Sequence, residues 1–232
     1  MTAISDILKN RAFSEQGTVL EARMREKEYN LRSFKCNMPM TYDEFRQLLQ
    51  VNCNDIMLQR SVIRDYQIDG QNEPVIRQLY LYFINDPACA WNLNSGLLFG
   101  GKVGCGKTLL MTAFFRITDN YSRKTTCIIH SKSLANEIRK SGVEYLSRKP
   151  IMIDDLGREE SEVKDFGNVV KPIIDVISVR YENGARTYAT TNFNYDRLTT
   201  FYSEFVTTRM QEMMTFVVIP GESRRLKNEI KK

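Results

Sequence analysis

The stretch that decides the fold is Gly96-Leu-Leu-Phe-Gly-Gly-Lys-Val-Gly-Cys-Gly-Lys-Thr108. Residues 101–108 have the spacing Gly-x4-Gly-Lys-Thr, which fills every fixed position of a nucleotide phosphate-binding loop. Residues 96–100 predict a short buried strand, and residues 107–121 predict a helix with an apolar face. The loop therefore lies between a strand and a helix N-terminus, where free N–H groups and the helix dipole favour a bound phosphate.

The residue types in this loop predict how it would hold a nucleotide. Glycines lack a Cβ, so the backbone can turn successive N–H groups onto phosphate oxygens. Lys107 would bring a positive charge to the β and γ phosphates, and the Thr108 hydroxyl is placed to ligate Mg²⁺. The predicted cofactors are therefore ATP and Mg²⁺. The residues predicted to contact the nucleotide in this segment are Gly101, Lys102, Val103, Gly104, Cys105, Gly106, Lys107, Thr108 and Leu109.

Two neighbouring acids, Asp154 and Asp155, follow the apolar run Ile151-Met-Ile. In phosphate-loop enzymes a carboxylate at the end of a neighbouring strand holds the magnesium ion, so Asp154 is the predicted metal ligand beside Thr108. Asp155 would then polarise the attacking water, with Glu159 or Glu160 as alternative bases. An Asp-Asp pair after a strand is otherwise a turn or cap signal, but its place behind a phosphate loop favours the site.

Composition excludes several classes of protein. The chain has 232 residues, 42% hydrophobic and 26% charged, as expected for one globular domain with a small appendage. Apolar runs stay well below the roughly 20 residues that cross a bilayer, and the N-terminus does not have the pattern of a secretory signal. The five cysteines lack a Cys-x-x-Cys pair, and His130 is the single histidine, so we expect reduced thiols and no zinc site. The predicted location is cytoplasmic, without a membrane partner.

The net charge of +5 is concentrated at one end of the chain. Residues 223–232 hold five Lys or Arg side chains against one Glu, so this segment carries +4 of the total. A basic end can contact nucleic acid, although a solvated end is the more common structure.

The order of predicted elements indicates an α/β fold. Helices alternate with strands that are predicted at residues 96–100, 126–130, 151–154, 186–191 and 216–219. This alternation predicts a five-stranded parallel sheet between helices. Before a turn-rich break at residues 70–74 the chain shows only short amphipathic helices, Ser14–Tyr29 and a capped one over Thr41–Val51. We therefore expect a mainly helical partner-docking region at 1–70 and an ATPase domain at 71–232.

Three further motifs stand after the two acids: Thr187-Tyr-Ala-Thr-Thr-Asn192, Phe205-Val-Thr-Thr-Arg209-Met210 and Gly221-Glu-Ser-Arg-Arg225. Together with the loop and the Ile-Asp-Asp-Leu-Gly run, they resemble the initiator-type branch of the AAA+ ATPases. Within this branch, the chain more closely resembles the DnaC/DnaI helicase loaders and the IstB transposition helpers. The resemblance covers roughly residues 75–225.

This resemblance implies roles for residues beyond the loop. Asn192 would be sensor 1, which orients the water, and Arg209 would be the arginine finger that reaches the γ-phosphate of a neighbouring subunit. Arg225, or else Arg224, would stand in the sensor-2 region and contact the nucleotide. The open alternatives are a turn amide for Asn192, a surface helix arginine for Arg209 and a solvated tail for Arg225. The predicted catalytic residues are Lys107, Asp155, Asn192 and Arg209.

The resemblance also implies an activity and partners. The expected protein is an ATPase that loads a replicative helicase on single-stranded DNA and self-associates through its ATP sites. Two alternatives stay open: a transposase-assisting ATPase of the IstB kind, and a nucleotide-switched adaptor with little turnover. Eleven residues follow Gly221, which predicts little or no lid domain. Nineteen residues separate His130 from Pro150, fewer than the resemblance implies for a DNA-gripping helix.

Overall fold

The computed structural model describes Thr18 and residues 40–159, 163–165 and 168–225. The predicted helix Ser14–Tyr29, the alternative base Glu160 and the basic tail beyond Arg225 lie outside the described residues. Among the described residues, no helix combines the length and apolar character needed to cross a bilayer.

Helices and strands alternate along the described chain. The helices are α1 (Tyr42–Gln59), α2 (Glu73–Ile84), α3 (Lys107–Ser122), α4 (Leu134–Ser141), α5 (Pro172–Glu182), α6 (Tyr195–Tyr202) and α7 (Glu204–Met213). The strands are β1 (Gly96–Gly100), β2 (Cys127–His130), β3 (Ile151–Leu156), β4 (Val163–Asp165), β5 (Asn168–Val170), β6 (Thr187–Thr191) and β7 (Met214–Val218).

Five strands form one parallel sheet in the order β2-β3-β6-β1-β7. Strand β1 pairs with β6 on one side and β7 on the other, and all five of its residues are buried. A parallel strand reads as a continuous apolar run when helices cover both faces of its sheet. The predicted fold class, a five-stranded parallel sheet between helices, is confirmed.

Each face of the sheet has its own hydrophobic core. Leu97 and Phe99 of β1 pack with α1, α2 and α3, whereas Leu98 packs on the other face with α5, α6 and α7. This alternation follows from the two-residue period of a strand. The phosphate loop is therefore anchored by a strand that both cores hold.

The first described helix belongs to one of these cores. Thr41 and Glu44 form the predicted capping box at the start of α1. The helix continues past the predicted end at Val51 because its later apolar residues, including Cys53 and Ile56, pack in the same core as α3. Within the described residues, 40–70 thus share a core with β1, α2 and α3. The division at residue 70 and the docking role of 1–70 stay predictions.

Two details differ from the sequence expectations. A hairpin of β4 and β5, antiparallel with Val163 opposite Val170, stands between β3 and α5 and was not predicted. Strand β7 begins at Met214 rather than at residue 216, because α7 ends at Met213 and the chain turns directly into pairing with β1.

Candidate functional site

The phosphate loop leaves β1 and enters α3 as predicted. Gly101, Gly104 and Gly106 have φ angles of 145°, 84° and 108°, a region that glycine enters without steric cost. Gly106 caps α3, so the first N–H groups of this helix point out of the loop. Local geometry therefore forms an anion-binding end on the helix.

Lys107 lies inside this loop and is only 5% exposed. Its Nζ donates to the carbonyl oxygens of Gly101 and Lys102 and to Oδ1 of Asn192, each at 2.8 Å. Burial lowers the pKa of Lys107, against the attraction of Asp155 and nearby groups. The three oxygens that it bonds are neutral, so a phosphate oxygen bound here would meet an ammonium that is not bonded to a carboxylate.

Asp154 lies at the carboxyl end of β3, next to the start of α3. Its Oδ1 accepts hydrogen bonds from the hydroxyls of Thr108 at 2.7 Å and Thr190 at 2.6 Å. A carboxylate and a hydroxyl in contact form the kind of hard oxygen donor set that Mg²⁺ prefers, so these residues fit the predicted ion.

His130 stands close to both acids: one ligand atom from each of His130, Asp154 and Asp155 lies within 4.8 Å of the others. However, Nδ1 of His130 accepts the N–H of Lys132 at 3.2 Å, so the neutral ring carries its hydrogen on Nε2. That nitrogen is 3.7 Å from Asp155 Oδ2. This distance exceeds that of a hydrogen bond, so the ring lies beside the Asp155 carboxylate without bonding to it.

Asp155 occupies an irregular point of β3. Its φ is 60°, and the pairing of β3 with β6 shifts register between Ile153 and Leu156. The backbone stays satisfied, because the N–H of Asp155 donates to Thr190 Oγ1 at 2.9 Å and its carbonyl accepts from Ser131 Oγ at 2.7 Å. This bulge turns the carboxylate away from the regular strand direction.

The carboxylate of Asp155 has two further partners. Oδ1 accepts from Nδ2 of Asn192 at 3.4 Å, and Oδ2 accepts from Nη1 of Arg158 at 3.2 Å. Lys107, Asn192, Asp155 and Arg158 therefore form one continuous polar chain. The Asn192 amide thus lies at the carboxyl end of the sheet, between Lys107 and Asp155. Its role as sensor 1 stays a prediction.

Arg158 is a cation that sequence reasoning missed. The motifs indicated Lys102, Arg224 and Arg225 as further positive charges of the same chain but not Arg158, which lines the cavity together with Lys107. Its only sequence signal is the three-residue distance from Asp155. The alternative base Glu159 points elsewhere, since it accepts from the N–H of Gly157 at 3.1 Å and from the hydroxyl of Tyr202.

A cavity of about 850 Å³ opens above these groups, within the range of small-molecule sites. Its floor comprises the phosphate loop, Asp155 and Asn192, and its wall comprises residues 57–71 and 222–225. Of the predicted site residues, those lining the cavity are Val103, Gly104, Gly106, Lys107, Thr108, Leu109, Asp155, Asn192 and Arg225. Gly101, Lys102, Cys105 and Asp154 are not among the lining residues; Lys107 bonds the carbonyls of Gly101 and Lys102, and Thr108 bonds Asp154.

Arg209 lies elsewhere, on α7. Its guanidinium stacks on the rings of Phe205 at 4.1 Å and Tyr181 at 5.1 Å, and Nη1 donates to Ser178 Oγ at 2.9 Å. It is outside the set of residues that line the cavity of its own chain. A role across a subunit boundary stays a prediction.

The two arginines of the sensor-2 region have different surroundings. Arg224 makes a forked ion pair with Asp69, with N–O distances of 2.9 and 3.0 Å. Arg225 is exposed at the cavity, and its N–H donates to Ser223 Oγ at 3.3 Å. Arg225 is therefore the better placed of the two for a nucleotide, and its contact stays a prediction.

Comparisons with known proteins bear on the fold. Neither protein-family models nor curated protein sequences match this chain. Among solved structures, the DnaC helicase loader is similar with a TM-score of 0.54 and 21% identity, over 67% of this chain and 93% of that one. DnaI gives a TM-score of 0.53 and 21% identity, over 84% of this chain and 100% of that one. The expected resemblance is thus confirmed at the level of architecture: this chain has the fold of DnaC and DnaI.

Proposed function

We propose that the protein is an ATP-dependent AAA+ helper that loads or remodels a replicative helicase on single-stranded DNA. The observation that carries the ATPase part is that Lys107 and Asp155 line one nucleotide-sized cavity, with Asp154 bonded to the lining residue Thr108. The loader part rests on the fold shared with the DnaC helicase loader. Such a role places the protein in the cytoplasm, where it self-associates through its ATP sites.

The side chains of the floor divide the proposed reaction among them. Lys107 exchanges its bonds to the loop carbonyls for oxygens of the β and γ phosphates. Thr108 and Asp154 would hold Mg²⁺, which would neutralise phosphate charge. Water oxygen bonds to the γ-phosphorus while the bond to the bridging oxygen breaks, leaving ADP and phosphate, and the water proton passes to Asp155. Asn192 orients this water from its place between Lys107 and Asp155.

One observation favours a second candidate, the nucleotide-switched adaptor with little turnover. The acid proposed to take the proton already accepts a hydrogen bond from Nη1 of Arg158 at 3.2 Å, so this oxygen is not free to accept from water. A protein that keeps this pair after ATP binding would hold nucleotide without hydrolysing it quickly.

The steady-state ATPase rate of the full chain, with and without single-stranded DNA, separates these candidates. We expect turnover that DNA alters, whereas binding without turnover in both conditions would establish the switch. The partner is tested by mixing the full chain and a 40–232 truncation with a purified replicative helicase and ATP. We expect a complex with the full chain only, while the truncation still binds ATP. A full chain that binds ATP but captures a purified transposase in place of the helicase would establish the IstB-like alternative.

A further inference from the structure

The segment Ile219–Arg225, named here the strap, lies across the phosphate loop. The N–H of Ile219 donates to the carbonyl of Gly100 at 2.8 Å, and the N–H of Arg224 donates to that of Gly104 at 2.9 Å. Packing is equally close, since a Cβ on Gly104 would lie 2.3 Å from Ser223 Oγ. The strap therefore follows the backbone of the loop closely.

Side chains of the strap hold a second segment, residues 60–71, named here the linker. The guanidinium of Arg224 forms its fork with the carboxylate of Asp69, and Arg64 donates to the Arg224 carbonyl. Forked ion pairs are stronger and more directional than single hydrogen bonds. Arg224 also holds the pKa of Asp69 down at about 2, as expected for a carboxylate bonded in this way.

Asp69 connects this ion pair to the order of the linker. Its Oδ1 also accepts the N–H groups of Gln71 at 3.0 Å and Asn72 at 3.2 Å, immediately before α2. Asn72 in turn donates to the hydroxyl of Tyr66 at 3.1 Å. Because the linker lines the wall of the cavity, the position of Arg224 affects the shape of the nucleotide site.

The loop residues beneath the strap are those whose partners change when phosphate binds. Lys107 donates to the carbonyls of Gly101 and Lys102, and these bonds are lost when its ammonium turns to a phosphate. A Cβ on Gly101 would lie 2.7 Å from the Ile219 carbonyl oxygen, and the Lys102 side chain pairs with Glu222. A movement of the loop at Gly101 or Lys102 would therefore displace the strap at Ile219 or Glu222.

We propose that Arg224 is a positioning residue that couples phosphate in the loop to the linker. It acts through Asp69 and the backbone of Gly104 and makes no contact with the phosphate. The proposal rests on the nucleotide site proposed above and adds to it a route from that site to the N-terminal part of the chain. In this route the strap moves with the loop, and the linker follows the strap.

The test uses magnesium tripolyphosphate, which fills the phosphate loop but has no base or ribose to touch the wall. Amide hydrogen exchange is followed at Asp69 and Gln71 of the linker, at the adjoining Asn72, and at residues 104–108 of the loop. In the native chain we expect slower exchange at both places, roughly tenfold at the linker. In Arg224→Ala the loop should still be protected, while the linker should lose its response.

Two variants control this experiment. Arg46→Ala removes another partly exposed ion pair, with Glu73 at the start of α2, and should leave the linker response intact. The exchange of charges, Arg224→Asp with Asp69→Arg, should restore part of the response if the pair itself carries the coupling. Melting curves of all variants report whether folding is retained.

The outcomes separate the two proposals. Absence of loop protection in the native chain would overturn the nucleotide site itself. Loop protection without a linker response in the native chain would overturn the coupling alone. An unchanged linker response in Arg224→Ala would show that the strap contact does not transmit it.

Discussion

The floor of the cavity consists of residues that directly follow or join elements of one sheet, whereas its wall consists of segments held together by ion pairs. Asp155 lies near the end of β3 and Asn192 directly follows β6, so the pairing of these two strands determines their separation. Arg224 and Asp69 are 155 positions apart and meet only through their charges and the strap. The floor is therefore set by the core, and the wall is the part that salt, charge substitution and bound ligand can change.

Breaking the floor should have the largest effect. Lys107→Ala removes the buried ammonium that meets the phosphates, and we expect ATP binding to be abolished while the fold is retained. Titration calorimetry measures the binding, and a melting curve is the control for folding. Native affinity together with a native melting curve would show that the loop is not the phosphate site.

The floor of one chain is expected to need a cation from another chain. Arg209→Ala should bind ATP normally but lose hydrolysis by about 10³-fold or more, the usual scale for an arginine finger. Mixing it with Lys107→Ala should restore some turnover, since an intact Lys107 site then meets an intact Arg209. A mixture that co-assembles but stays inactive would exclude action across an interface.

If Arg209→Ala alone keeps full activity, the surface-helix interpretation stands, and Arg158 becomes the candidate for the second cation. The stacking of Arg209 on Phe205 and Tyr181 would then serve only the packing of α5 against α7.

Binding and turnover should separate within the floor at Asp155. Asp155→Asn keeps the size of the side chain and removes the base, so we expect native ATP affinity with turnover reduced by roughly a hundredfold or more. A phosphate-release assay at saturating ATP gives the rate. Normal hydrolysis would move the base to another acid; Glu160 would be tested next, because Glu159 is engaged by Tyr202.

The wall should give the smallest effect. The Arg225 guanidinium is exposed, and an exposed charge interacts weakly with a ligand because water screens it. Arg225→Ala should therefore weaken ATP binding by only a few-fold. The loss should shrink as salt rises, because an exposed charge is screened. A loss as large as that of Lys107→Ala would mean that the wall holds the phosphates as firmly as the floor does.

The same difference explains what the sequence could predict. The loop is contiguous, its glycines and flanking elements are local signals, and the sheet follows from the alternation of strands and helices. The sequence also predicted that Asp154 lies beside Thr108, because the strands of a parallel sheet end at one edge. The Thr108 hydroxyl and the Asp154 carboxylate are indeed in contact.

The wall had no comparable signal. The pairing of Arg224 with Asp69 joins two irregular segments, and charge alone does not distinguish Arg224 from Arg225. Arg158 is one loop arginine among many until the fold brings it to Asp155. The hairpin of β4 and β5 was missed because strands of three residues are too short to show alternation.

The left-handed backbone of Asp155 restricts which acid this position accepts. At a φ of 60° most side chains are strained, but Asp and Asn are tolerated because their short polar groups can bond locally. A glutamate would carry the same charge one methylene farther at a conformational cost, so the bulge selects the shorter acid. Asparagine is then the replacement that adds no strain to the backbone at this position. The loss of activity in Asp155→Ala or Asp155→Glu would mix strain with chemistry, and neither could substitute for the asparagine variant.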